Sequence, residues 1–157
     1  MPSRDIHTAA GLLTGGAAAF VVARHEPLPL CLLETAGGML SGSLAALVPD
    51  LLEPATSSFH RGVCHSFAMG AGVLAAGAEC LAEAGSTFIR DLRRRSVELL
   101  AESAAEQDGL RSLALLVAAI GARLLVGAIT GGIAGYASHL VLDAATPRSL
   151  PLLARGL

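Results

Sequence analysis

The sequence predicts an all-α protein, a multi-pass transmembrane helical bundle of about four spans plus one amphipathic helix. Three observations lead there. Hydrophobic residues make up 53% of the 157, against about 45–50% in soluble domains, and the mean hydropathy is +0.61. Charged residues make up only 15%, where about 25% is usual. The apolar residues gather into four long runs separated by helix breakers. Aromatics are 3% of the chain, so these runs are mostly Ala, Leu, Val and Gly, which let packed membrane helices approach closely. At this length residues 1–157 are expected to form a single domain. A soluble Ala-rich bundle has a similar composition and is the competing reading.

The first run, Ala9–Ala23, extends back to Ile6 and puts His7 on its first turn. Fifteen residues give a helix of about 22 Å, so the extension is needed to approach the roughly 30 Å hydrocarbon core. Asp5 and His7 interrupt this segment and Arg4 is its only basic residue, so a secretory signal peptide is not expected. Arg24 to Pro29 break the pattern, and His25 in that turn reads as a solvated side chain. The second run, Leu30–Val48, ends at Pro49-Asp50, and a loop with Pro54 follows. The third, Val63–Ala82, opens with His65-Ser66. Residues 85–109 change character: Ser86 or Thr87 is placed to cap a helix through Gln107. Phe88, Leu92, Leu99 and Leu100 share one side of it, and Arg90, Arg93, Arg94, Arg95 and three Glu form the rest. This Arg-rich segment is expected to lie on a membrane or on the other helices, and it is the candidate surface for a protein partner or a second copy. The fourth run, Leu113–Leu142, exceeds one span, so a tilt, a break near Thr130-Gly131-Gly132 or an extra-membrane end is required. Its one charge, Arg123, is expected to pair with a Glu across the bundle.

A net charge of −2 argues against a general nucleic-acid binder. Cys31, Cys64 and Cys80 form no CxxC, so neither a disulfide framework nor a zinc ribbon is supported. No glycine-rich phosphate loop is present.

Potential metal ligands concentrate between Pro49 and Ser66: Asp50, Glu53, His60 and His65. If the four runs alternate in direction, His7, the Asp50–His65 link, and His139 with Asp143 all emerge at the same end. His139 and Asp143, four apart, share one face of a helix. Imidazole and carboxylate suit Zn²⁺, one or two ions, with Mn or Fe as alternatives. Burying such groups without partners costs several kcal/mol.

The order of these residues resembles the YdjM-like family of membrane-bound, metal-dependent hydrolases of the bacterial inner membrane. The matching residues are His7, Pro49-Asp50 with Pro54, His60-Arg61-Gly62 with His65-Ser66, and Gly135-Tyr136 with His139-Leu140, Asp143 and Thr146-Pro147. The chain departs from the family at Leu52, where an Asp is usual, at Glu53, where a His is usual, and at Cys64 and Ser149. The resemblance implies a metal site of His7, Asp50, Glu53, His60, His65, His139 and Asp143. Asp50, His65 and Arg61 are its expected catalytic residues, with Arg61 holding a phosphate or carboxylate. It implies hydrolysis of a phosphoester or lipid-borne ester by metal-activated water, with a membrane lipid as substrate. The Leu52 departure keeps open a second reading, an inactive membrane anchor or effector with a structural metal. The Arg count weakly places the site on the non-cytoplasmic side.

Overall fold

The computed structural model describes residues 3–52, 66–82 and 84–145, and all its regular structure there is helical. Helix α1 spans Arg4–Ala23. Its N-cap Ser3 accepts the Ile6 N–H through its side chain, and Asp5 in the first turn faces the positive end of the helix dipole. Pro27 precedes α2, Leu28–Ala45, and Pro29 lies in its first turn, where a missing N–H costs nothing. The short α3, Val48–Leu52, then carries Pro49 and Asp50, where the sequence suggested that helix gives way to loop. Helix α4 is Phe67–Ala82 and α5 is Ala84–Ala105. Asp108 caps α6, Gly109–Ala144, by accepting from the N–H groups of Leu110 and Arg111 at 2.9 and 3.2 Å.

Among the described residues, three segments are long and apolar enough to cross a membrane: Arg4–Ala23, Leu28–Leu52 and Gly109–Ala144. The third predicted run forms the shorter α4, in which Ala68–Gly77 is apolar. Helix α6 has 36 residues, about 54 Å at 1.5 Å per residue. It runs unbroken through Thr130-Gly131-Gly132, so the break allowed for in the fourth run does not occur.

The reason is packing. Each of three helices buries a ladder of mostly small residues at four-residue spacing. In α1 it is His7, Gly11, Gly15, Ala19 and Ala23; at the end of α2 it is Glu34, Gly38, Gly42 and Ala46. In α6 it runs Ala119, Arg123, Gly127, Gly131, Gly135, His139 and Asp143. Residues four apart form one ridge of a helix, and glycine on the ridge brings backbones together. A methyl group at Gly15 would lie 2.9 Å from Gly42 Cα and 3.1 Å from the Gly131 carbonyl oxygen. Gly131 and Gly135 meet the Gly38 and Gly42 backbones in the same way. Glycine here serves close approach rather than flexibility.

Helix α4 lies against the last part of α6, with Gly70 at Leu140 and Gly77 at Ile133. Helix α5 packs on the first part of α6, where Ser103 and Ser112 exchange side-chain bonds. The chain stays helical from Ala84, so neither Ser86 nor Thr87 caps α5. Ile89 and Leu99 are the buried apolar residues, whereas Phe88 is exposed. The outward charges of α5 are paired along the helix: Arg94 with Asp91 and Glu98, and Arg95 with Glu98 and Glu102.

At one end of the ladders the buried charges compensate one another. Arg123 donates to Glu34 at 2.7 Å, Glu26 at 2.8 Å and Ser96 Oγ at 2.6 Å. Arg93 of α5 grips both Glu34 oxygens at 2.9 and 2.6 Å. The hydrogen bond with Glu34 holds the Arg93 pKa above its ordinary value, against the effect of burial. Arg123 thus pairs across the bundle as its sequence context suggested. Glu79 is exposed.

Candidate metal centre

The opposite end of the ladders carries His7, Asp50, His139 and Asp143. Each is the polar continuation of an apolar element. His7 is the first rung of the α1 ladder, and His139 and Asp143 are the last two of α6. Asp50 arrives on α3, immediately after the last rung of α2 at Ala46. Three segments distant in sequence therefore meet at the same end of the bundle, as alternating helix directions required.

His7, His139 and Asp143 are at most 1% exposed, whereas Asp50 is half-buried. The two imidazole rings stack with centroids 3.9 Å apart and 22° between planes. His7 Nε2 lies 3.6 Å from Asp143 Oδ1, and His139 Nε2 lies 3.7 Å from Asp143 Oδ2 and 3.8 Å from Asp50 Oδ1. One donor atom each from His7, Asp50 and His139 falls within 4.8 Å of the others.

These separations have a chemical meaning. An N–H···O hydrogen bond spans about 2.7–3.2 Å, so the groups stand too far apart to be bonded directly. Two ligands of one tetrahedral ion, each about 2.0–2.2 Å from it, stand roughly 3.3–3.6 Å apart. The observed 3.6–3.8 Å is close to that edge. His7 Nδ1 is buried with no hydrogen-bond partner among the described residues, at a cost of about 1–3 kcal/mol. A mixed imidazole and carboxylate donor set fits Zn²⁺, Mn²⁺ or Fe²⁺.

The tautomer of His139 follows from its other nitrogen. His139 Nδ1 stands 2.6 Å from the Ala46 carbonyl oxygen. A carbonyl only accepts, so Nδ1 carries the proton, and in the neutral ring Nε2, on the side of Asp50 and Asp143, is the nitrogen left to bind an ion. Helix α2 ends at this point and leaves its last carbonyls without intrahelical donors. One of them orients the imidazole, as partners behind metal-binding histidines do.

Of the predicted ligands, the structure brings His7, Asp50, His139 and Asp143 together. Glu53, His60, Arg61 and His65 lie outside the described residues. Leu52 ends α3 as an exposed side chain. His25 is exposed and accepts from Arg24 Nε at 3.0 Å. Sequence reasoning missed the Ala46 carbonyl, a backbone group with no residue signature. It also missed Arg4, which with Leu44, Leu47, Val48, Asp50 and Leu51 lines a cavity of about 530 Å³ beside the cluster.

Comparison with protein-family models, curated proteins and solved structures finds no match to the chain. The site's own geometry therefore carries the functional argument.

Proposed function

We propose that this chain is a membrane-bound, metal-dependent hydrolase of a phosphoester or lipid-borne ester, in the manner of the YdjM-like hydrolases that its motifs resemble. The observation that carries the proposal is the set of 3.6–3.8 Å separations among His7, His139, Asp50 and Asp143. His7, His139 and Asp143 are buried at the ends of α1 and α6, and half-buried Asp50 joins them from α3. In this reading α4 is the fourth span, and its continuation α5 leaves the bilayer with the first part of α6. The bilayer is the bacterial inner membrane.

Three of the four groups His7, His139, Asp50 and Asp143 would hold one divalent ion, most simply Zn²⁺, with its fourth position open to water, and Glu53, His60 and His65 would complete a one- or two-ion site. Bound there, the ion supplies Lewis-acid polarisation of the ester and activation of water near neutral pH. The chain contributes the rest. His139, held by Ala46, keeps its lone pair aimed inward. Asp143 faces both imidazoles and balances the positive charge. Asp50, the most accessible of the four, is placed to take the proton from water. Arg61 is assigned to the substrate's anionic group.

The test is metal analysis of the detergent-purified protein beside hydrolysis assays on phosphatidic acid. The expected result is about one or two ions per chain, with both metal and cleavage lost in Asp143→Ala. Cleavage that persists unchanged in Asp143→Ala would overturn the catalytic assignment. Retained metal without cleavage of any lipid ester by the wild type would favour the structural-metal anchor instead.

A further inference from the structure

The cavity beside the cluster has a composition that the metal centre does not explain. One side of it is aliphatic: Leu44 at the end of α2, Leu47 in the turn that follows, Val48 and Leu51 on α3. Leu44 and Leu51 are 68% and 78% exposed, so this apolar surface is open rather than sealed into the core. Arg4, on the first turn of α1, lines the same space. It makes no ion pair among the described residues, in contrast to Arg93 and Arg123 at the other end of the bundle. Asp50 forms the common wall with the metal cluster.

Asp50 in the same wall is turned to His139, so Arg4 at the rim of this aliphatic groove matches one kind of molecule, an amphiphile with an anionic head. A free sugar phosphate leaves the leucines wet, and a neutral lipid leaves Arg4 without a counter-charge. The volume of about 530 Å³ lies within the roughly 300–1,000 Å³ of ligand sites. We infer that this cavity is a lipid-phosphate subsite, in which Arg4 holds the phosphate of a single membrane lipid and Leu44, Leu47 and Leu51 receive its hydrocarbon chain. The inference rests on the hydrolase reading for the fate of that lipid, because the subsite would deliver the head group to Asp50. Arg4 is then a specificity residue that selects anionic lipids, acting in binding and not in bond cleavage.

The chain contains no tryptophan, so a single introduced one reports without background. Leu44→Trp protein, stripped of metal with a chelator, is placed in phosphatidylcholine nanodiscs. These carry equal small fractions of either chain-brominated phosphatidic acid or chain-brominated phosphatidylcholine. The expected result is about fivefold greater quenching by the phosphatidic acid, the enrichment that one Arg near a bilayer surface confers. The preference should vanish in Leu44→Trp with Arg4→Gln and survive with Arg4→Lys. Leu32→Trp, on an exposed position nearer the start of the same helix, should show no preference in either background. If Leu44→Trp does not fold, Leu51→Trp reports on the same cavity.

Equal quenching by the two lipids at both reporter positions would overturn the inference, as would a preference untouched by Arg4→Gln. Because metal is absent, the two proposals fail separately. An intact lipid preference in a protein that cleaves nothing sinks only the hydrolase reading. Cleavage without any Arg4-dependent preference sinks only the subsite.

Discussion

Gly131 and Gly132 are adjacent on α6 and share the same intrinsic helix propensity, yet they face different surroundings. A methyl group at Gly132 would meet nothing within 4 Å, while one at Gly131 would lie 2.7 Å from the Gly38 carbonyl carbon. That is about 0.7 Å inside ordinary contact, against backbone that cannot rotate away. Gly→Ala in a helix gains about 1 kcal/mol from propensity alone. Gly132→Ala is therefore expected to be neutral or stabilising by up to about 1 kcal/mol. Gly131→Ala must push α6 from α2, at an overpacking cost of about 1–3 kcal/mol or more. The effect should also reach the candidate metal centre. His139 lies two rungs further along the ladder, and metal sites tolerate about 0.2 Å of misplacement. Divalent affinity should fall about 10–100-fold, as when a supporting partner of a ligand is lost. The assay is unfolding in mixed detergent micelles, followed by circular dichroism, with metal titration of the same samples. Indistinguishable stability and affinity in the two variants would refute the close-packed ladder.

Three further outcomes are expected. Glu34→Gln should destabilise by about 3–5 kcal/mol, since it leaves buried Arg123 and half-buried Arg93 short of a carboxylate. Glu26→Gln, at a quarter-exposed position, should cost about 1 kcal/mol or less, and equal costs in the same micelle assay would refute this ordering. Asp108→Ala removes the cap of α6 and should cost about 1 kcal/mol. Metal content should not change, because the cap is remote from His139 in sequence and lies at the far end of the helix. Saturating divalent ion at about a hundred times its dissociation constant should raise stability by about 2.7 kcal/mol. Chelation should reverse this in the wild type and have no effect in Asp143→Ala, as thermal unfolding would measure.

The helices were largely legible because apolar runs and breakers are composition-level signals. Pro27 and Pro29 mark the start of α2, and the extension of the first run back past His7 anticipates α1. The convergence of His7, Asp50, His139 and Asp143 was legible too, since it needs only alternating helix directions. Subtler features were not. The start of α5 was misplaced at Ser86 because a capping residue is only an opportunity. Gly131-Gly132 suggests a break because glycine weakens isolated helices, whereas here Gly131 is held by backbone contact with Gly38. The Ala46 carbonyl meets His139 only once α2 has ended against α6, and the Arg4 cavity forms only where α1 meets the end of α2 and α3, so no residue pattern announces them.

The ladders carry a consequence for how the chain finds a single arrangement. Glycine rungs four apart are nearly interchangeable, so one helix could slide past its neighbour by one rung, about 6 Å, and still interlock. Shape alone leaves the alignment degenerate. Polar groups at the two ends remove that freedom, because a slip would strand Glu34 away from Arg123 and carry His139 away from the Ala46 carbonyl. The charged knot and the imidazole–carboxylate cluster thus act as the two end-stops of a sliding scale, and an ion captured by that cluster, as proposed, would report that the helices have stopped at the right mark.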